Sequence, residues 1–256
     1  MSRDRSSSDR QRQGLDLLWG DTGRPARGPQ PGLSVAKIVT AAIEITDAEG
    51  LDALSMQRVA ARLDFTTMSL YRYVPGKDQL VELMMDTAAG SPPDLAGLDG
   101  WRARIECWVQ ALWECYAAHP WMLQVKVTSP PLGPNQLAWL EAALAALAET
   151  GLPHQDLLHI SLFLLGAVGG LARLTSQTQP ATAAPDQAPA GYAETLASLL
   201  DADRFPTLSG VIASGTLSPG GTGDRARTDA GREVAFGVER LLDGIEAYVR
   251  SGSGDR

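Results

Sequence analysis

Short apolar stripes at helical period, cut by tight turns, run from Leu33 to Ala89. Leu33 to Glu49 carries Val35, Ile38, Val39, Ala42, Ile43 and Ile45 on one face, and Gly50 suits the position after a helix end. Leu54, Val59, Ala60 and Leu63 share a face of a second, shorter helix, with Ser55 placed to cap it. Met68, Leu70, Tyr71 and Val74 recur through a third, which Thr66 or Thr67 can cap. Asp64 stands where the second helix must stop and tolerates a left-handed backbone. Pro75-Gly76 then breaks the chain, since the proline ring disfavours helix at Val74 and Gly76 bends freely. The third helix is therefore about two turns long and has no stability of its own. Two such helices joined by a turn, held by neighbours and with one polar face free, predict a helix-turn-helix that offers this face to a DNA major groove. Lys77 to Ala89, through Leu80, Leu83 and Met84, predicts a linking helix.

The pattern changes at Gly90 to Gly100, where GSPPDLAGLDG marks the expected domain boundary. Trp101 to Ala118 carries one apolar stripe of Trp101, Ile105, Trp108, Leu112 and Cys115 and another of Val109, Trp113 and Tyr116. A helix apolar on so much of its circumference is buried on two sides, with one side free to line a cavity. His119-Pro120 ends it, and Trp121 to Val127 follows as a short segment. Asn135 to Thr150 and His154 to Gln177 are further helices, the second with Leu157, Ser161, Leu164, Val168 and Leu171 on one stripe and Gly166, Gly169 and Gly170 at points of close approach. Residues 179–191 read as a loop. Tyr192 to Ala213 reads as helix interrupted at Pro206, and 218–227 as a second loop. Thr228 to Arg250 closes the chain with Val234, Val238, Leu241, Ile245 and Tyr248 in register. Alternating β-branched runs are scarce, so the expected fold class is all-α: an N-terminal three-helix domain over 33–89 and a larger helical domain over 100–250.

With 256 residues and 44% hydrophobic composition the chain can bury one large or two ordinary cores. The net charge of −8 argues against indiscriminate coating of nucleic acid and leaves specific binding open, because placement decides. Residues 1–32 carry +2, 33–89 carry −3 and 90–256 carry −7. Residues 1–32 are rich in Arg, Ser, Gly and Pro and are expected to be a disordered basic arm, with Arg24 and Arg27 placed to follow a DNA backbone or minor groove. Within that arm Leu15, Leu17, Leu18 and Trp19 form an apolar patch with no evident role. No signal-peptide core is visible, and the most apolar run, Ile160 to Ala172, is too short to span a bilayer and ends at Arg173; a buried helix and a cytoplasmic protein without membrane association are expected. Cys107 and Cys115 lie about 12 Å apart along one helix, too far for a disulfide.

Catalytic chemistry finds little support. The glycines at 220–223 lack the Lys-Ser/Thr of a phosphate loop, the three histidines lack zinc-site spacing, and Ser161 lacks the surroundings of a hydrolase nucleophile. No enzyme activity, metal or cofactor is expected.

The run GLDALSMQRVAARLDFTTMSLYRYVPGKDQLVELM resembles the N-terminal domain of the TetR (tetracycline repressor) family of bacterial transcription regulators. The resemblance rests on Ala41-Ala42 and Gly50, Leu54-Ser55, Val59-Ala60, Leu63, and Leu70-Tyr71-Arg72-Tyr73-Val74 followed by Lys77. It covers about residues 33 to 89, departs from the family at Asp64 where glycine is usual, and beyond 89 holds only in helical layout.

The resemblance implies that Thr66, Thr67, Met68, Tyr71, Arg72 and Tyr73 face DNA. Arg72 is suited to guanine O6 and N7, and Met68 to a thymine methyl. Ser55, Gln57, Tyr73 and Lys77 fit phosphate contacts that fix register. The two apolar C-terminal helices fit either a closed monomer core or a four-helix pairing of subunits, and the resemblance favours a homodimer. The expected function is a ligand-responsive regulator, a repressor released from a palindromic double-stranded DNA operator by a small-molecule effector. Trp108, Trp113, Tyr116, His119, Trp121, His159 and Phe163 are the candidate effector contacts. The competing reading is a helical, dimeric small-molecule-binding protein that no longer reads DNA.

Overall fold

A computed structural model describes residues 14–20, 32–126, 130–178, 192–215 and 224–252, all helix, turn or loop. Side chains at 177–178, 192–193 and 224–233 lie outside that description, as do Arg24 and Arg27. The first helix, α1, spans 14–19, within the segment expected to be a disordered arm. It forms because Leu17 and Leu18 pack on the apolar core of the domain that follows.

That domain is built from α2 (Val35–Glu49), a 3-10 turn (Leu51–Ala53), α3 (Met56–Arg62), α4 (Thr67–Tyr71) and α5 (Lys77–Ala89). Its boundaries are set by local chemistry. Ser34 caps α2 by accepting from the Lys37 N–H (3.2 Å), Ser55 caps α3 by accepting from Arg58 (3.2 Å), and Thr66 caps α4 by accepting from Ser69 (3.3 Å). Asp64 takes φ 60, the left-handed turn position where it stands in place of glycine. Ile38, Ala42, Val59, Leu70, Val74, Leu80 and Met84 fill the core. Arg58 pairs with Glu49 and Arg62 with Glu44 (2.9 Å), so α3 is tied to α2 at two points.

The described residues fall into two compact units. The described residues within 1–170 and 244–256 form one and those within 171–243 the other, so the cuts fall inside helices. Helix α5 packs on both α2 and α7 (Pro134–Ala148). At its far end Trp139 of α7 donates its indole N–H to the carbonyls of Ala89 (3.0 Å) and Gly90 (3.1 Å). Asp86 of α5, buried, accepts from the backbone N–H of Gln136 (3.0 Å) and the Asn135 amide (3.2 Å), and so caps α7 from another helix. A side chain on Gly133 would lie 2.0 Å from the Asp86 carboxylate, so the approach requires glycine there.

In the same unit α6 (Gly100–Ala118) packs on α7, with Trp108 donating to the Trp139 carbonyl (2.9 Å) and meeting its ring edge-on at 5.9 Å. A 3-10 turn, Pro120–Gln124, follows and carries Trp121 and Met122 into the core of the N-terminal domain. The next helix, α8 (His154–Thr178), buries Leu157, Ser161, Leu164, Val168 and Ala172 and leaves Leu158, Leu162 and Phe163 exposed. It is longer than the apolar run within it, and by length and composition alone His154–Ser176 would suffice to cross a bilayer. In the other unit lie α9 (Tyr192–Leu199) and α10 (Pro206–Ala213), which pack on each other. Pro206 opens α10 at its first position and does not interrupt a longer helix, since a proline there lacks only an N–H that has no helical partner anyway. The last helix, α11 (Asp224–Gly252), buries Val234, Val238, Leu242 and Ile245.

Candidate nucleic-acid interface

The short α4 stands on two anchors. Leu70 and Val74 are fully buried, and the 3.6-residue period then turns Met68, Tyr71 and Arg72 outward. Met68 is 74% exposed, far more than an unengaged core methionine, and Tyr71 is 44% exposed, which places its ring outside the small core. Tyr73 is half-buried against that core. Thr66 is exposed but its hydroxyl is committed to Ser69, as acceptor from the backbone N–H and at 2.8 Å from the Ser69 hydroxyl. Thr67 is half-buried. Ser55 and Gln57 are exposed at the start of α3, and Lys77 is exposed at the start of α5.

Charge pairing separates the cations of this domain. Arg58 and Arg62 are neutralised by Glu49 and Glu44, and Lys37 donates to the Gly32 carbonyl (3.1 Å). Arg72 and Lys77 are exposed and make no ion pair among the described residues. A guanidinium and an ammonium left in water, beside an exposed thioether and phenol, are donors and apolar surface of the kinds that read base edges and grip phosphates. Sequence patterning marks these residues. It does not show that Arg58 and Arg62, equally basic, are occupied elsewhere.

The seven residues expected to contact an effector lie in different surroundings. Trp108 and Trp121 are buried and bonded in the core. His119 and Trp121 both donate to Asp47 near the end of α2, His119 through Nδ1 at 2.8 Å and Trp121 through Nε1 at 2.6 Å. A carboxylate only accepts, so the histidine nitrogen facing it carries the proton. Trp113 and Tyr116 are half-buried on α6, with the Tyr116 ring 3.8 Å from where a side chain on Gly169 of α8 would begin. His159 and Phe163 are exposed on α8, Phe163 by 62%, because the buried stripe of that helix runs through Leu157, Ser161, Leu164 and Val168.

Asp47 is the residue that sequence reasoning missed. Its one signal is an acid in the last turn of a helix, where the macrodipole disfavours it without a partner. Cys115 donates to the Ala88 carbonyl (3.7 Å), and burial pushes its thiol up to about 11, so it is no nucleophile at neutral pH. Among the described residues no three His, Cys, Asp or Glu side chains gather into a metal-sized cluster.

Residues 38–84 match the family described as bacterial regulatory proteins, tetR family, and residues 91–249 match the tetracyclin repressor-like C-terminal domain. The chain is 38% identical over 250 residues to the HTH-type transcriptional repressor DrrR1 of Streptomyces coeruleorubidus, covering 94% of this chain and 87% of that protein. Its fold is similar to that of apo ActR from Streptomyces coelicolor, with TM-score 0.67 and 26% identity over 87% of this chain and 99% of that one. ActR in complex with actinorhodin matches with TM-score 0.68 and 27% identity over 86% of this chain and 97% of that one.

Proposed function

The chain belongs to the TetR family of bacterial transcription regulators, and from that premise we propose that it is a homodimeric repressor released from its operator by a small molecule. The observation that carries the DNA half is Arg72 on the outward face of α4, without an ion pair among the described residues, beside Met68 and Tyr71 and close in sequence to Lys77, which likewise has none among them. In this reading Arg72 reads a guanine, Met68 and Tyr71 contact base edges, and Ser55, Gln57, Tyr73 and Lys77 hold phosphates. Thr66 and Thr67 set the entry of α4. Arg24 and Arg27, outside the described residues, extend the grip along the backbone. The net charge of −8 makes that grip depend on where these cations sit.

Pairing of two chains is supported by the exposed Leu158, Leu162 and Phe163 on one side of α8. An apolar stripe of this kind is left to water at a cost unless another surface covers it, and a two-fold pair would set two copies of α4 about one DNA turn apart. Phe163 and His159 then belong to the subunit interface. The effector's place is within the helical domain, where Trp113 and Tyr116 are the half-buried aromatic candidates. DrrR1 is a repressor and ActR has been seen with actinorhodin; the effector of this chain is taken to be a small molecule that binds the DNA-released state more tightly, by a few kcal/mol. In this reading the chain is a cytoplasmic regulator with no enzymatic step.

A mobility-shift assay on the DNA upstream of its own coding region, run over a salt series, tests the reading. The expected result is a salt-sensitive, specific shift by a dimer. A folded protein that shifts no DNA at low salt would leave only the small-molecule-binding alternative.

A further inference from the structure

A helix as short as residues 14–19 does not persist by itself, so its presence reports a docked face. Leu17 and Leu18 pack on the core of the DNA-reading domain. Gly14 is buried, and a side chain there would begin 3.4 Å from the Glu82 carboxylate of α5. At the other end of α1, Trp19 donates its indole N–H to the Leu132 carbonyl (2.9 Å). Leu132 directly precedes Gly133, the residue over which Asp86 of α5 closes to cap α7 through Gln136 and Asn135. Elements α1 and α5 thus bind the same stretch, residues 132–136, at the start of α7, and α1 touches α5 as well.

We propose that α1 is a strap. It clamps the junction between the DNA-reading domain and α7, and by holding that junction it fixes the orientation in which α4 is presented. The strap accounts for Leu17, Leu18 and Trp19, an apolar patch that a freely moving basic tail would not need. Its effect on DNA rests on the regulator reading above; its effect on the junction does not.

The test compares the full-length protein with a deletion of residues 2–19, which keeps Arg24 and Arg27, and with Trp19→Phe, which removes the donor and keeps an aromatic ring. Backbone amide hydrogen exchange is followed at 135–137, with Val59 and Val74 as controls inside the reading domain. Exchange at 135–137 is expected to rise about five-fold in Trp19→Phe, the factor for one net hydrogen bond, and further in the deletion, with the controls unchanged. Affinity for the upstream DNA is expected to change in the same order. Unchanged exchange at 135–137 in both variants overturns the strap. So does a deletion that weakens DNA binding while leaving that exchange as it was, since the segment would then act on DNA directly. If the deletion loosens the control amides as well, Trp19→Phe alone decides by the same criterion. Absence of DNA binding in every protein, the unmodified one included, would remove the regulator reading and leave the exchange result standing.

Discussion

The indole N–H of Trp121 meets the carboxylate of Asp47 at 2.6 Å across 74 positions of sequence, joining the 3-10 turn after α6 to the last turn of α2. His119 donates to the same carboxylate oxygen. Trp121 is 1% exposed, so its N–H has no water to turn to. Asp47→Ala is expected to cost about 1–3 kcal/mol, the penalty of a buried donor left unsatisfied. Asp47→Asn keeps an acceptor oxygen and is expected to lose less. Urea unfolding followed by tryptophan fluorescence checks both, and an Asp47→Ala protein as stable as the parent would show that the bond carries no weight.

Arg72→Ala is expected to weaken operator binding by about 1–3 kcal/mol and to relax preference at one base pair, whereas Lys77→Ala weakens binding to all sequences and lowers the salt slope by about 1. Both side chains are exposed and make no ion pair among the described residues, so unfolding should move by no more than about 0.5 kcal/mol. Selection of bound sequences from a random pool distinguishes the two; unchanged preference in Arg72→Ala would reject base reading by Arg72.

The turn between α3 and α4 gives a backbone test. Asp64 sits at φ 60, a conformation that costs an ordinary residue about 1–2 kcal/mol and glycine almost nothing. Asp64→Gly is expected to be neutral or slightly stabilising, and Asp64→Val to lose about 1–2 kcal/mol or more. Thermal unfolding of the pair reads the difference.

Asp86 makes stability depend on pH. Burial raises its carboxyl above the ordinary 3.8, and the hydrogen bonds from Gln136 and Asn135 oppose this without cancelling it. The folded protein therefore holds this proton to higher pH than the unfolded chain does. The contribution is fully present below the unfolded value and is lost as pH rises through the raised folded value. Asp86→Asn, which retains an acceptor for the Gln136 N–H, should lack this loss. Urea unfolding from pH 3 to 8 is expected to show the two proteins diverging from the ordinary carboxylate value upward, with Asp86→Asn gaining on the parent as pH rises. Parallel curves would assign the proton elsewhere.

Pairing through α8 predicts that Leu162→Arg yields a monomer in sedimentation velocity. Leu162 is 50% exposed in the single chain, so the monomer should remain folded by circular dichroism. A dimer that survives the substitution would move the interface off this face.

The DNA-reading domain was legible from sequence to within two or three residues, the largest miss being α4, which ends at Tyr71 and not at Val74, because most of its boundaries are local events. Ser34, Ser55 and Thr66 cap, Asp64 turns, and Pro75-Gly76 breaks, and none of these needs knowledge of distant residues. The aromatic residues beyond Gly100 were not legible in the same way. Helices α6 and α8 are apolar around much of their circumference, so periodicity alone leaves the inward direction open. Packing of α6 on α7 turned Trp108 in, and the Leu157–Val168 stripe of α8 turned Phe163 out. The role of Asp47 was hidden because its partners lie more than seventy positions away, and the docking of Leu17 and Leu18 because composition around them argues for disorder.

The closeness of Asp86 to Gly133 bears on attempts to build hybrid regulators. A splice at the Pro/Gly-rich stretch 90–100 looks natural, yet it would separate the acid that caps α7 from the glycine that makes room for it. A grafted DNA-reading domain with a longer side chain at position 86 would collide with the recipient, and one with an apolar side chain there would leave the Gln136 N–H uncapped. The transferable module is therefore α2 through α5 together with the residues leading into α7, and an exchange that respects this pairing is the one expected to transmit a new sensor's signal to an old promoter.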